Sequence, residues 1–170
     1  MTNTNVTNQK GFTLVEIAIV LVIIGLLLGG VLKGQELITN SKIKSVTADF
    51  EGISAAYWAY RDRTGSYPGT TAGNFFVDLR TEGFIGGNAV STNVSGPKHA
   101  LDGEFSYVAS ATAPAITGKQ VCASDIPFDI ANNIDTKLDD GVGSTGSIRT
   151  SDGLAYVSTT ATVTLCKELM

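Results

Sequence analysis

The stretch KGFTLVEIAIVLVIIGLLLGGVLK, Lys10–Lys33, decides how this chain is read. Between Phe12 and Leu32 the only charged side chain is Glu16, and nearly every other one is apolar. About 21 residues rising 1.5 Å each span roughly 31 Å, the thickness of a hydrocarbon core. The run exceeds the ~7–15 apolar residues of a secretory signal, and no A-x-A cleavage site follows it. A buried core helix rarely stays apolar for so long. A plain membrane anchor fits the length but gains nothing from a carboxylate. Glu16 sits about 6 Å past Phe12 along a helix, shallow enough to reach headgroups. It therefore costs less there than the about 3 kcal/mol of a charge at mid-bilayer. In a dry, protein-only surrounding the same carboxylate needs a cation. A cut between Gly11 and Phe12 creates one, an α-amine at the first position of the helix. An amine on one subunit and Glu16 on a neighbour then fix an axial offset. Glu16 also lies where the helix dipole favours negative charge.

Lys10-Gly11-Phe12-Thr13-Leu14-Val15-Glu16, followed by an unbroken apolar run, resembles the type III signal of type IV pilins and pseudopilins. The resemblance covers about 21 residues. It implies cleavage after Gly11 by a prepilin peptidase, methylation of the new Phe12 amine, and Glu16 as the assembly carboxylate. The leader is then Met1–Gly11, with Lys10 as its only charged side chain. Losing that lysine takes the formal charge from −4 to −5. Lys10 on the cytoplasmic side agrees with the positive-inside rule, though Lys33 at the other end weakens the signal. Many members of the family carry proline at the position of Lys33. This chain instead has Gly25, Gly29, Gly30 and Gly34, which suit either a looser helix or close helix–helix packing.

The helical pattern continues outward. Ile43, Val46, Phe50, Ile53, Tyr57 and Tyr60 follow 3-4-3-4-3 spacing, one apolar stripe on an amphipathic helix. Packing on the chain's own C-terminal domain is preferred to an isolated two-stranded coiled coil, because the stripe is short and partly aromatic. The helix is expected to stop near Thr64-Gly65, ahead of SYPGTT. An unbroken helix from Phe12 to Thr64 is about 80 Å long. Its first half must find lipid or further copies of itself.

From Tyr67 onward Gly, Ser, Thr and Asn dominate. A short helix is expected over Phe75–Thr81, closed by Gly83. Strands are expected over Glu104–Ser110, Gly118–Ser124, Gly146–Ser151, Leu154–Thr160 and Thr162–Glu168. A second short helix is expected over Ile126–Leu138, capped by Asp125 with Pro127 in its first turn, and stopped near Gly141. Short strands joined by tight turns favour antiparallel pairing. The expected fold is α+β: a long N-terminal helix, transmembrane in its first half, packed by its second half on an antiparallel sheet. The expected divisions are leader 1–11, membrane or filament-core half 12–32, amphipathic half 33–64, and globular domain 65–170. The resemblance implies the same architecture, and NIDTKLDDGVGSTGSIR also resembles a segment of many pilin-like proteins.

Cys122 and Cys166 are the only cysteines. They have no C-x-x-C spacing, so a zinc site is not expected. Outside the cytoplasm they read most simply as one disulfide, the alternative being two buried thiols. Many type IV pilins close a C-terminal loop with such a bridge, so the resemblance implies the pairing. No G-x-S-x-G, P-loop or H-E-x-x-H is present, and His99 reads as a loop histidine rather than a base. Asp135, Asp139 and Asp140 beside Gly141 are a weak Ca²⁺ candidate without the D-x-D-x-D-G spacing of a calcium loop. A solvated helix end with Asx turns is the preferred reading. No cofactor and no catalysis are expected. Net acidity, with pI near 4.9, argues against direct nucleic-acid binding.

The function implied is a structural subunit of a type IV pilus. The alternatives are a type II secretion pseudopilin, or a membrane-anchored binding domain that never polymerises. The implied partners are copies of the chain, other pilins, the prepilin peptidase and methyltransferase, inner-membrane lipid before assembly, and the assembly machinery. The implied location is the inner membrane, single-pass with a cytoplasmic N-terminus, then an extracellular pilus or a periplasmic pseudopilus.

Overall fold

The structure is a computed structural model. It describes residues 11–69, 74–89, 95–109, 116–156 and 161–169. The chain divides into two compact units, Met1–Asn40 and Ser41–Met170, and helix α1 (Leu14–Thr64) supplies residues to both.

In the first unit every residue from Gly11 to Lys33 is exposed, including all the large apolar ones. This is the one helix among the described residues long and apolar enough to cross a membrane. Lys33, at its polar margin, pairs with Glu36 at 2.7 Å.

In the second unit the apolar stripe of α1 becomes the core. Ile43, Val46, Phe50, Ile53 and Tyr57 are buried, and Tyr60 packs against them half-buried. Phe50 meets Phe105 edge to face at 5.1 Å. The helix stops as its residues require: Gly65 adopts φ +72° and donates its N–H to Arg61 O at 2.8 Å. Helix α2 (Phe75–Thr81) closes with a Schellman pair, Gly83 N–H to Arg80 O and Phe84 N–H to Leu79 O, with Gly83 at φ +78°.

Four antiparallel strands form one sheet in the order β1-β2-β4-β3: β1 (Phe105–Val108), β2 (Gln120–Pro127), β3 (Ile148–Thr150) and β4 (Thr162–Glu168). The fold is therefore α+β and pilin-like, a long N-terminal apolar helix with a four-stranded antiparallel sheet.

Two local expectations need correction. Ile126 and Pro127 belong to β2, pairing with Val163 and Thr162, and helix α3 (Phe128–Leu138) begins only after them. Pro127 holds φ −54°, ψ 138°, and a residue ahead of proline is pushed toward extended backbone, so the strand runs on through both. Asp125 is not the helix cap. It occupies a bulge between Ala123 and Ile126 with φ +56°, a conformation aspartate tolerates better than most residues. Leu154–Tyr156, expected as the start of a strand, lie outside any ladder, and residues 157–160 fall outside the described segments. Side chains take the backbone groups there: Leu154 N–H donates to Asp152 Oδ1, and Thr150 Oγ1 donates to Leu154 O.

Candidate functional site

The first turn of α1 carries its own cap. Thr13 N–H and Thr13 Oγ1 both donate to Glu16 Oε2 at 2.8 Å, and Glu16 N–H donates to Thr13 Oγ1 at 3.2 Å. This is a capping box: threonine at the cap and glutamate three residues on satisfy each other's orphan donors. The T-x-x-E signal stands in the sequence at Thr13–Glu16, so the cap is local to the first turn. Phe12 and Gly11 precede the cap, and both are exposed. A Cβ added at Gly11 meets nothing within 4 Å. Packing inside this chain therefore makes no demand for glycine at that position. The same holds at Gly25, Gly29, Gly30 and Gly34, which leave open notches along the helix surface.

Cys122 and Cys166 face each other across β2 and β4 and are joined by a disulfide, S–S 2.09 Å. The bridge is buried beside Ile116 in a small cluster apart from the main core.

Asp135, Asp139 and Asp140 are brought together at the end of α3, with one oxygen from each within 4.8 Å of the others. Their oxygens mostly serve the turn. Asp139 Oδ2 accepts from Ser147 N–H and from Ile148 N–H. Asp140 accepts from Val142 N–H at 2.9 Å and Thr145 Oγ1 at 2.6 Å. Those bonds hold the Asp140 carboxyl below its usual range, the threonine hydroxyl contributing most. Gly146 is obligatory here: it has φ +77°, and a Cβ would collide with the Asp139 carboxylate. Asp135 differs from the other two, being fully buried with Tyr156 donating to Oδ2 at 2.8 Å. Burial pushes its carboxyl above the usual range, and the Tyr156 hydrogen bond only partly opposes this.

His99 is buried. Nε2 lies 2.9 Å from Ser124 O, and Leu101 N–H donates to Nδ1. The two bonds assign the proton to Nε2 and occupy both nitrogens with backbone. Gly103 packs so close that a Cβ would lie 2.3 Å from Ser124 O. The histidine thus pins a loop.

Residues 6–32 match the family model for the prokaryotic N-terminal methylation motif. The matched stretch contains Gly11, Phe12 and Glu16 and ends with the exposed apolar run. The search of curated proteins found no match, and neither did the search of solved structures. The chain carries the signal that marks type IV pilins and pseudopilins, on an α+β pilin-like arrangement.

Proposed function

We propose that the chain is a structural subunit of a type IV pilus, not an enzyme. The prepilin enters the inner membrane with its N-terminus in the cytoplasm. Prepilin peptidase cleaves it after Gly11 and the new Phe12 amine is methylated. The mature chain polymerises with copies of itself and other pilins through Phe12–Leu32, driven by the pilus assembly machinery.

One observation carries this reading: the methylation motif coincides with a helix surface that is apolar, wholly exposed, and broken by a single carboxylate. Lipid covers such a surface before assembly. Packing against identical helices covers it afterwards, and notches at Gly25, Gly29 and Gly30 permit close approach. Glu16 on one subunit pairs with the Phe12 amine of another and sets their axial offset. The disulfide that closes the C-terminal part of the domain favours a pilus over a secretion pseudopilus.

Intact mass tests the reading on protein from sheared surface filaments and, separately, from membranes. The expected filament species lacks Met1–Gly11 and carries one extra methyl. The same species confined to membranes moves the chain to the pseudopilins. A full-length mass in both fractions overturns processing and polymerisation together.

A further inference from the structure

The Ser41–Met170 unit carries two charged surfaces of opposite sign. The first is built on Tyr67. Its ring stacks on Tyr57 at 5.3 Å, and Trp58 stands edge-on to both. Lys119 Nζ lies 3.8 Å from the Tyr67 ring centre, and the Arg61 guanidinium lies 5.2 Å from it and 5.4 Å from that of Trp58. Two cations thus share one aromatic platform, and Trp58 remains 38% exposed. The ion pairs among the described residues are Lys33–Glu36 and Arg63–Glu82, so neither platform cation has a carboxylate partner there.

The second surface is a cleft of about 510 Å³ lined by Asp102, Glu104 and Asp125, with Ser106 and Ser124. All three carboxylates are exposed and outside those ion pairs. Lys98 pairs with Glu104 in an isolated backbone bridge, and the Arg80 guanidinium donates to Ser95 O at the cleft's edge, so three carboxylates stand near two cations.

Strand β2 relates the two surfaces. Lys119 immediately precedes its first residue, and the Ser124–Asp125 bulge lies near its other end. Six strand residues at about 3.3 Å each separate them by ~20 Å. The Lys119 end of β2 thus carries the cation–aromatic platform, with Glu168 paired to Gln120 beside it, and the bulge end carries the three carboxylates.

We propose that the Arg61–Lys119 platform of one copy docks in the Asp102–Glu104–Asp125 cleft of the next. This proposal rests on the polymer reading above and adds a contact between globular domains to it. Charge complementarity selects the occupant. Neither surface complements itself, so a symmetric dimer through either one sets like charge against like. A head-to-tail contact satisfies both, and repeated it gives an open chain wherever its rotation does not close a ring. The platform also has the makeup of an interface centre: Trp58 and Tyr67 offer apolar area, while cations already lying on rings supply direction.

A charge-reversal cycle in the full-length chain tests the contact, with Arg61→Glu, Glu104→Lys and the double variant. Sheared-filament yield and the NaCl concentration that dissociates filaments are the readouts. Thermal melting of each variant in detergent monitors folding. Each single variant is expected to lower yield about fivefold or more, and the double variant to return within about twofold of wild type. Wild-type yield from the single variants, or a double variant no better than the weaker single, overturns the contact. Lys119→Glu with Glu104→Lys reads the same contact through the other cation, independent of any folding defect at Arg61. Normal Arg61→Glu filaments that lose retention on a heparin column assign the platform to an anionic ligand, and the contact is again overturned. Absence of wild-type filaments overturns the polymer reading itself, and the contact with it.

Discussion

Thr13 and Glu16 complete each other's hydrogen bonding across the first turn of α1, with both Thr13 donors converging on Glu16 Oε2. The carboxylate therefore has a local task in a single chain, carried by Oε2. A neighbour's amine can bind Oε1 without breaking the cap. In the proposed polymer, helix capping and subunit register would draw on different oxygens of one side chain.

That division separates two substitutions. Glu16→Gln keeps an acceptor for Thr13 and loses the charge, whereas Glu16→Ala loses both. Both are expected to insert into membranes normally and to give few filaments. Wild-type filament yield from Glu16→Gln, measured after shearing, removes charge from the assembly role.

The Cys122–Cys166 bridge closes a loop with a sequence separation of 44. A loop of that size contributes ~4 kcal/mol in the chain-entropy model. Reduction is expected to lower the melting temperature clearly without changing the strand content of the cold protein. Equal melting of oxidised and reduced samples would falsify a stabilising role.

Asp135 gives the domain a pH-dependent component. Its folded pKa is raised by burial, so its contribution is fully present below the unfolded value of about 3.9 and is lost as pH rises through the folded value. Asp140 has the opposite sign. Its folded pKa is lowered, so its contribution is present above the unfolded value and is lost as pH falls through the folded one. The difference in melting temperature between wild type and Asp135→Asn isolates the first term. It is expected to shrink as pH climbs from about 3.9 and then level off. A difference that stays constant from acid to neutral pH contradicts the assignment.

Tyr57 is fully buried, and its hydroxyl has no hydrogen-bond partner among the described residues. Burial, with Tyr107 and Tyr67 nearby, pushes that phenol up to about 12. Removing an unpaired buried hydroxyl is expected to leave stability unchanged or raise it by about 1 kcal/mol. Chemical denaturation of Tyr57→Phe checks this; a loss beyond about 1 kcal/mol points to a partner for the hydroxyl.

The long helix was legible because its signals are local. An apolar run of membrane length, a 3-4 stripe and a glycine stop each reside within a few residues, and α1 ends at Thr64 as the glycine predicts. Helix α2 was read from the same kind of evidence. Ile126 was misread because Ile126, Ile130, Ile134 and Leu138 recur at helical spacing, while the strand pairing that claims Ile126 comes from Val163. Two cysteines permit only one pairing, but their facing positions on β2 and β4 depend on register, which no short window contains. The Tyr67 platform was invisible for a related reason, since Arg61 and Lys119 meet only when α1 and β2 are in place. The Thr13 cap needs no tertiary information, since T-x-x-E is a local signal.

The disulfide between facing residues of β2 and β4 also governs what happens under load. When tension is applied between α1 and the C-terminal residue, the strands can peel apart but the 44-residue span between the two sulfurs cannot be drawn out. About 150 Å of contour length is thereby withheld from extension. Force is carried across the S–S bond from β2 straight to β4. With the bridge intact only the stretch between α1 and Cys122 can lengthen, and reduction releases the rest.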